Sequence, residues 1–492
     1  MEKNNKSKDS ILKADKSKNA TAISNNRIAR YFKFNDMKTT FKKEIIGGIS
    51  TLLAMMYILS VEPDILRRAE SITTIGESNS VYMDLNGVFL ATALVAFLAT
   101  FVMGISANVP IGLAPSMGLN AMFAFNVAGN IGFEGALIAT LISSILFCVV
   151  SVTKLRTIMI KSLPKSVHLS IGVGIGFFIA YVGISNIGWV ANDGGIPIAS
   201  LSDFKMTYPA IILGTVALFA AIFLNFKKFF APVACVMIIG FIIAMILVNT
   251  VENDAIQESF KNAKFSEIDW NYKSLFTGFW SNLEGTTKQF VNPKIWINPT
   301  MYISIFVFII LNFFDATGTI TTINIELNRE AGTNNEIPHK ALIIDAGATI
   351  VGSVAGVSHM ACYAESCVGI SQGARTGFAA IITSLGFLIS IVLFPIFKMM
   401  PSCITGAATV FIGTIMIKSI TGIEWDKPEM GLAAFFSIMF MVVTYNIANG
   451  IALGIIAYTV GALATGKAKT LNPIIWILDL IFILYFVANA FI

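Results

Sequence analysis

Carboxylates set inside apolar sequence are the first residues to question. Glu365 lies in Gly352-Ser-Val-Ala-Gly356-Val-Ser-His359-Met-Ala-Cys362-Tyr-Ala-Glu365-Ser-Cys-Val-Gly369, where small and polar residues precede a helical pattern. A negative charge near the start of that helix is electrostatically comfortable. Asp315 stands one helical turn from Asn312, so the two can share a helix face. Asp345 and Glu62 are further acids at the edges of apolar runs. Acids at membrane depth are expensive and usually functional. A carboxylate in a low-dielectric site is also the natural group to take up and release a proton.

The setting is a membrane. The chain has 492 residues, 55% apolar and only 13% charged, with a mean hydropathy of +0.75. Soluble domains carry about 25% charged residues, so an ordinary soluble protein is excluded. Stretches of spanning length occur at 44–62, 87–106, 133–153, 167–188, 209–225, 232–249, 301–320, 341–356, 377–396, 402–418, 430–445, 447–465 and 472–491. Asp479 inside the last leaves it either a span or a peripheral helix.

Two further apolar stretches, about 108–128 and 356–372, are broken. The first reads Asn108-Val-Pro110-Ile-Gly112-Leu-Ala-Pro115-Ser-Met-Gly118-Leu-Asn120. The residues before Pro115 should be extended, and Pro115 suits the first position of a half-helix. The second is the Glu365 segment. Interruptions in matching places of two halves point to an inverted-repeat transporter with its site at the broken helices. The bland alternative is a pair of packed kinks.

Charge supports the same layout. Residues 1–43 carry twelve Lys/Arg against four acids, a net +8, which leaves −3 on the remainder. A basic arm before the first span reads as a cytoplasmic tail. Lys154, Arg156, Lys161 and Lys165, then Lys227 and Lys228, Arg329, His339 and Lys340, Lys418 and Lys427, and Lys467 and Lys469 share that side if each broken stretch crosses the membrane. No secretory signal is expected. Five scattered cysteines read as small buried apolar residues, with no metal-ligand spacing. Gly172-Val-Gly174-Ile-Gly176 sits inside an apolar span and reads as close helix packing rather than a dinucleotide motif. Nothing resembles a nucleic-acid-binding module, and neither His-Glu-x-x-His nor a nucleophile with its base is present.

At the broken segments the sequence resembles the AzgA-like purine nucleobase permeases of the nucleobase–ascorbate (xanthine/uracil) transporter superfamily. The resemblance rests on residues 107–125, on Phe314-Asp315-Ala-Thr-Gly-Thr319, on Tyr363-Ala-Glu365-Ser366 with Gly373-Ala-Arg375-Thr-Gly377, and on Thr444-Tyr-Asn-Ile-Ala-Asn-Gly450. It covers roughly 40–490.

The resemblance implies an all-α polytopic membrane protein of about 14 transmembrane segments in two inverted repeats of seven. Two broken strand/half-helix segments face each other, a core bundle holds the substrate, and a gate bundle usually forms a homodimer contact. The divisions are then a basic cytoplasmic tail 1–43, a first repeat 44–249, an external loop 250–300, a second repeat 301–466 and a C-terminal apolar segment 467–492. The implied activity is uptake of hypoxanthine, guanine or adenine with a proton, at the cell membrane, without a cofactor. The family's functional positions fall on Asn120, Asp315 and Glu365. The chain departs from it at Asn312, where many relatives carry an acid. His359, Met360, Ala361 and Cys362 stand where small Thr/Ser residues are usual, Ser116 replaces a usual glycine, and Glu62 replaces a common asparagine.

A purine site needs an apolar slot and a few placed polar groups. Glu365 is the expected acceptor for ring N–H donors, and Asn312 offers a donor and an acceptor for a mixed edge. Glu365 and Asp315 are the leading proton-coupling candidates. Asp315 is read equally as a brace for broken backbone. His359 is read either as a donor or proton carrier, or as a packing histidine. Asp345 is expected to pair with a cation near its loop, Glu62 to lie at the membrane surface, and His339 to lie in a loop. A uracil or xanthine permease and an anion exchanger are the rival transport functions. An intramembrane enzyme and a scaffold are rivals of other classes.

Overall fold

A computed structural model describes residues 26–72, 83–153, 164–193, 196–199, 204–227, 229, 231–267, 270–291, 293–444, 446–468 and 471–490. The first 25 residues of the basic tail, the Lys154–Lys161 loop, Lys228 and Lys469 lie outside them. Among the described residues, nine helices are long and apolar enough to cross a membrane. Three shorter apolar helices accompany them: Gly377–Ser390, Pro428–Val443 and Pro473–Val487.

One order of elements occurs twice. In the first half, helices Phe41–Met55 with Ile58–Ile72, and Leu85–Val102, precede strand Leu113–Pro115 and half-helix Met117–Ala121. Helices Ala128–Val152, Lys165–Ile187, Phe204–Phe226 and Pro232–Thr250 follow. In the second half, Pro299–Ala331 and His339–Ala355 precede strand Met360–Cys362 and half-helix Ser366–Ser371. Gly377–Ser390, Ser402–Met416, Pro428–Val443 and Ile447–Ala464 follow. His339 opens a helix rather than lying in a loop. Residues 250–300 are largely helical: Tyr272–Phe290 packs along Leu85–Val102, joined to it by Asn282 and Asp84 through two bonds of 2.9 and 3.0 Å.

The two short strands pair antiparallel, with Leu113 opposite Cys362, Ala114 opposite Ala361 and Pro115 opposite Met360. The ladder continues through Ser116 N–H to the His359 carbonyl (2.7 Å) and Tyr363 N–H to the Gly112 carbonyl (3.0 Å). Pro115 thus ends a strand, and the expectation that it opens the half-helix is corrected. Its position is a non-hydrogen-bonded pair of the ladder, where a missing N–H costs nothing. Ser116 is the N-cap instead.

A two-stranded sheet in apolar surroundings has bare edges that water cannot satisfy. Side chains satisfy them. The Thr100 hydroxyl accepts from Leu113 N–H (2.9 Å) and lies 3.2 Å from the Leu113 carbonyl. Asp345 accepts from Cys362 N–H (2.8 Å), and Thr349 donates to the Met360 carbonyl (2.8 Å). Tyr363 closes the Pro115 carbonyl with its hydroxyl. Asp345 is fully buried and braces this edge, so its expected place beside the loop is corrected.

Small residues set the helix spacing elsewhere. A Cβ on Gly183 would stand 2.7 Å from the Gly406 carbonyl, and one on Gly413 would stand 2.6 Å from the Gly176 carbonyl. Lys165–Ile187 and Ser402–Met416 therefore touch backbone to backbone, as the glycine run suggested. Gly174 makes room for the Met441 side chain, while Gly172 faces open space.

Candidate functional site

Helices Phe41–Met55 and Ile58–Ile72, the two broken segments and Pro299–Ala331 converge on one polar cluster. The Tyr57 hydroxyl, in the turn between the first two helices, donates to Glu365 Oε1 at 2.9 Å and touches Met117 Sδ at 3.4 Å. Tyr57 is fully buried; Glu365 is only partly so. Glu365 is the N-cap of Ser366–Ser371, yet its side chain does not cap that helix. Ser116 is the N-cap of Met117–Ala121, and it too makes no side-chain cap. Its hydroxyl donates to Asp315 Oδ2 at 2.8 Å. Both half-helices thus turn their cap side chains toward other elements.

Asn312 precedes Asp315 by one turn. It is 1% exposed, and neither Oδ1 nor Nδ2 has a hydrogen-bond partner among the described residues. An orphaned buried amide asks for an explanation, and a bound polar molecule is one.

Behind the strands lies a second polar group. Asn120 donates to Glu62 Oε2 through a short contact, and Ser358 donates to Glu62 Oε1 at 3.0 Å. Glu62 has no exposure at all, which corrects its expected place at the membrane surface. The physical reason is that Ile58–Ile72 runs through Pro63 to Ile72, so Glu62 lies within the helix rather than at its end. His359 is equally buried. Its ring packs on Phe308, centroids 4.5 Å apart, and its Nε2 lies 3.3 Å from the Ser143 hydroxyl. Its Nδ1 has no hydrogen-bond partner among the described residues.

Of the five residues expected at the site, Glu365 is bonded to Tyr57, Asp315 to Ser116 of the first broken segment, and Asn312 lies one turn before Asp315. Asn120 is bonded to Glu62, and His359 packs on Phe308. Reading the sequence missed Tyr57 and underused Ser116. A lone tyrosine five residues before Glu62, in an otherwise apolar run, was the available signal. The arrangement can hold a flat neutral molecule by its donors and acceptors. Among the described residues, no cluster of His, Cys, Asp and Glu could hold a metal ion.

The chain is 33% identical to the guanine/hypoxanthine permease PbuG of Bacillus subtilis, over 93% of this chain and 99% of that one. It is 30% identical to the adenine permease AdeP of Escherichia coli, over 93% and 95%. Among solved structures, the transmembrane domain of a cyanobacterium bicarbonate transporter, BicA, superposes with a TM-score of 0.53 at 14% identity, covering 86% of this chain and 97% of that one. SLC26A9 gives 0.54 at 11%, covering 87% and 67%. These likenesses show the fold, an all-helical membrane transporter fold with two interrupted segments. A sequence model described as a permease family, that of the xanthine/uracil permeases, matches residues 42–453. The chain belongs to that family, and is a multi-pass membrane transporter rather than an enzyme.

Proposed function

We propose that this permease takes up purine nucleobases, hypoxanthine, guanine or adenine, across the cell membrane by proton symport with alternating access. The observation that carries the reading is that Glu365 belongs to one of the paired broken segments and Asp315 is bonded to Ser116 of the other, one turn from an Asn312 amide that has no hydrogen-bond partner among the described residues. Glu365 Oε1 is held by Tyr57, which fixes the carboxylate while the residue stays partly accessible. A ring N–H of the base meets that carboxylate, and Asn312 reads a neighbouring donor or acceptor. Asp315, held by the Ser116 hydroxyl, and Glu365 are the groups to carry the coupling proton. Glu62 with Asn120, and His359 with Phe308, support the strands from behind. The names of the relatives, guanine/hypoxanthine and adenine permeases, support guanine, hypoxanthine or adenine over uracil or xanthine.

The further features of this reading are fourteen crossings, a cytoplasmic N-terminus set by the basic tail, and a homodimer formed through the gate helices. An anion exchanger is disfavoured. Its ligand would lie at the half-helix starts, and Glu365 would repel it there. The test is uptake of labelled hypoxanthine, guanine, adenine, xanthine and uracil into proteoliposomes, with and without an inward proton gradient, for the wild type and Glu365→Gln. Gradient-driven, saturable uptake of a purine, lost in the variant, is expected. Gradient-independent uptake would remove the proton from the reading. Uptake of uracil alone, or of no base, would overturn it.

A further inference from the structure

Residues 26–43 fold into a short strap. Ala29, Phe32 and Phe34 are buried and pack with Phe41, Phe378 and Ile381. Arg27, Arg30, Lys33, Lys38, Lys42 and Lys43 are all exposed, against one exposed acid, Asp36. Among the described residues none of these six cations forms an ion pair, whereas Lys261, Lys288 and Lys427, elsewhere in the chain, each meet a glutamate at 2.6–3.0 Å. Four of the six stand where local structure disfavours a lysine. Lys33 and Lys38 have φ of 55° and 49°, the left-handed region that glycine and asparagine enter more easily. Lys42 and Lys43 occupy the first turn of Phe41–Met55, where the helix dipole repels a cation. Charges kept against local preference, and left unpaired by the protein, call for a counter-charge from outside it.

The helix faces locate that counter-charge. Ile45, Ile46 and Ile49 are 39–43% exposed on a membrane-spanning helix, so they face lipid. Lys42 precedes them by three, four and seven positions and so lies on the same stripe. Its ammonium is one turn out from the hydrocarbon, at the level of the headgroups. Tyr31 marks the same level: its ring is 57% exposed, and its hydroxyl donates to the Ile105 carbonyl just beyond the exposed Leu98 and Val102. We infer that the strap is a docking site for anionic phospholipid, whose headgroups supply the counter-charge and whose bound state steadies both broken segments. A phosphodiester offers oxygens to several cations, while its acyl chains continue along Ile45, Ile46 and Ile49. The strap reaches the broken segments directly, since Asn108 of the first donates to the Phe32 carbonyl and Thr39 reaches the Gly373 carbonyl after the second. Lys43 also lays its stem against Gly373, where an added Cβ would stand 3.0–3.5 Å from Lys43 Cβ, Cγ and Cδ. The inference does not depend on which base is carried.

The test is native mass spectrometry of the detergent-purified full chain, titrated with phosphatidylglycerol, phosphatidylcholine or inorganic phosphate. The wild type should bind phosphatidylglycerol in preference to the other two. Lys42→Gln/Lys43→Gln should weaken the tightest phosphatidylglycerol step about 25-fold, at about fivefold for each cation near a lipid surface. Lys33→Asn/Lys38→Asn, which suits the left-handed backbone, is a second variant and should weaken it to a similar degree. Lys261→Gln/Lys288→Gln, which removes cations already paired, should leave it unchanged. Undiminished phosphatidylglycerol affinity in both strap variants would overturn the site. Equal affinity for inorganic phosphate would assign the strap to a free anion and overturn the lipid. Hydrogen exchange in nanodiscs reads the second half of the inference. Adding phosphatidylglycerol to phosphatidylcholine discs should slow exchange at 105–108 and 373–377 in the wild type and not in the strap variants. Equal exchange in the two kinds of disc would overturn the link to the broken segments.

Discussion

Glu44 and Glu365 are both carboxylates placed beside the start of a helix, and they show how opposite environments assign opposite work. Glu44 has no exposure. Its oxygens accept from the backbone N–H groups of Arg375 (3.0 Å), Thr376 (3.3 Å) and Ala379 (3.2 Å), closing the N-terminus of Gly377–Ser390. Every requirement of that charge is met by backbone it cannot leave, so it is scaffold. Glu365 ignores the N–H groups of its own half-helix, takes one hydroxyl from Tyr57 and stays partly accessible. A carboxylate that the fold holds by one bond retains acceptor capacity for something else.

The surroundings reinforce the contrast. Around Glu44 the chain is strapped down. The Tyr31 hydroxyl donates to the Ile105 carbonyl (2.9 Å), Asn108 donates to the Phe32 carbonyl (3.2 Å), and the Thr39 hydroxyl reaches the Gly373 carbonyl (3.4 Å). Phe32 and Phe34 are buried against Phe41 and Phe378. The described part of the basic arm thus ties together the ends of both broken segments. Around Glu365, by contrast, the Asn312 amide is left open.

The contrast breaks most severely at the scaffold. Glu44→Ala strips three backbone donors of a charged acceptor, and should cost about 3–5 kcal/mol. A large fall in melting temperature and in folded yield by size-exclusion chromatography is the expected readout. Glu365→Gln should do the reverse. Base uptake falls on the order of 100-fold, as for loss of a charge-assisted hydrogen bond worth up to about 3 kcal/mol, while the melting temperature stays close to wild type. A Glu365→Gln protein that unfolds as Glu44→Ala does would erase the distinction between site and scaffold.

Two smaller changes sharpen it. Tyr57→Phe removes the one hydroxyl that orients Glu365 and should weaken base binding about tenfold, a hydrogen bond's worth of roughly 1.5 kcal/mol. Equilibrium dialysis with labelled hypoxanthine measures it, and an unchanged Kd would mean that Glu365 needs no orienting partner. Asn312→Asp replaces a mixed donor–acceptor edge by an acceptor-only one. It should shift preference between adenine and hypoxanthine severalfold, about 1 kcal/mol. A competition assay with an unaltered ranking would remove Asn312 from the recognition edge.

Much of this was written in the residue order. Pro110, Gly112 and Pro115 forbid a regular helix, so the first broken segment was legible, as was the extended run before Pro115. Glu365, Asp315 and Asn312 stood out because a polar group in an apolar run is conspicuous. The errors share one cause. Glu62 was placed at the surface and Asp345 beside its loop because each stands near the edge of an apolar run. Their depth depends instead on what packs around them: Asn120 and Ser358 for one, the Cys362 N–H for the other. Glu44, directly after Lys42 and Lys43, offered no sign of its partners more than three hundred positions away.

By itself, then, the sequence determined that the chain enters a membrane, where its regular helices must break, and which few acids enter with it. Hydropathy, proline and glycine are local properties, and they act wherever the residue is. Tertiary structure alone decided the rest. It set the strand register that makes the Pro115 vacancy harmless, brought Tyr57 to Glu365 across 308 positions, and set Glu44, held by three backbone N–H groups, apart from Glu365, held by one hydroxyl. A hydrogen bond's partner is fixed by position in space, and that position exists only once the helices have packed.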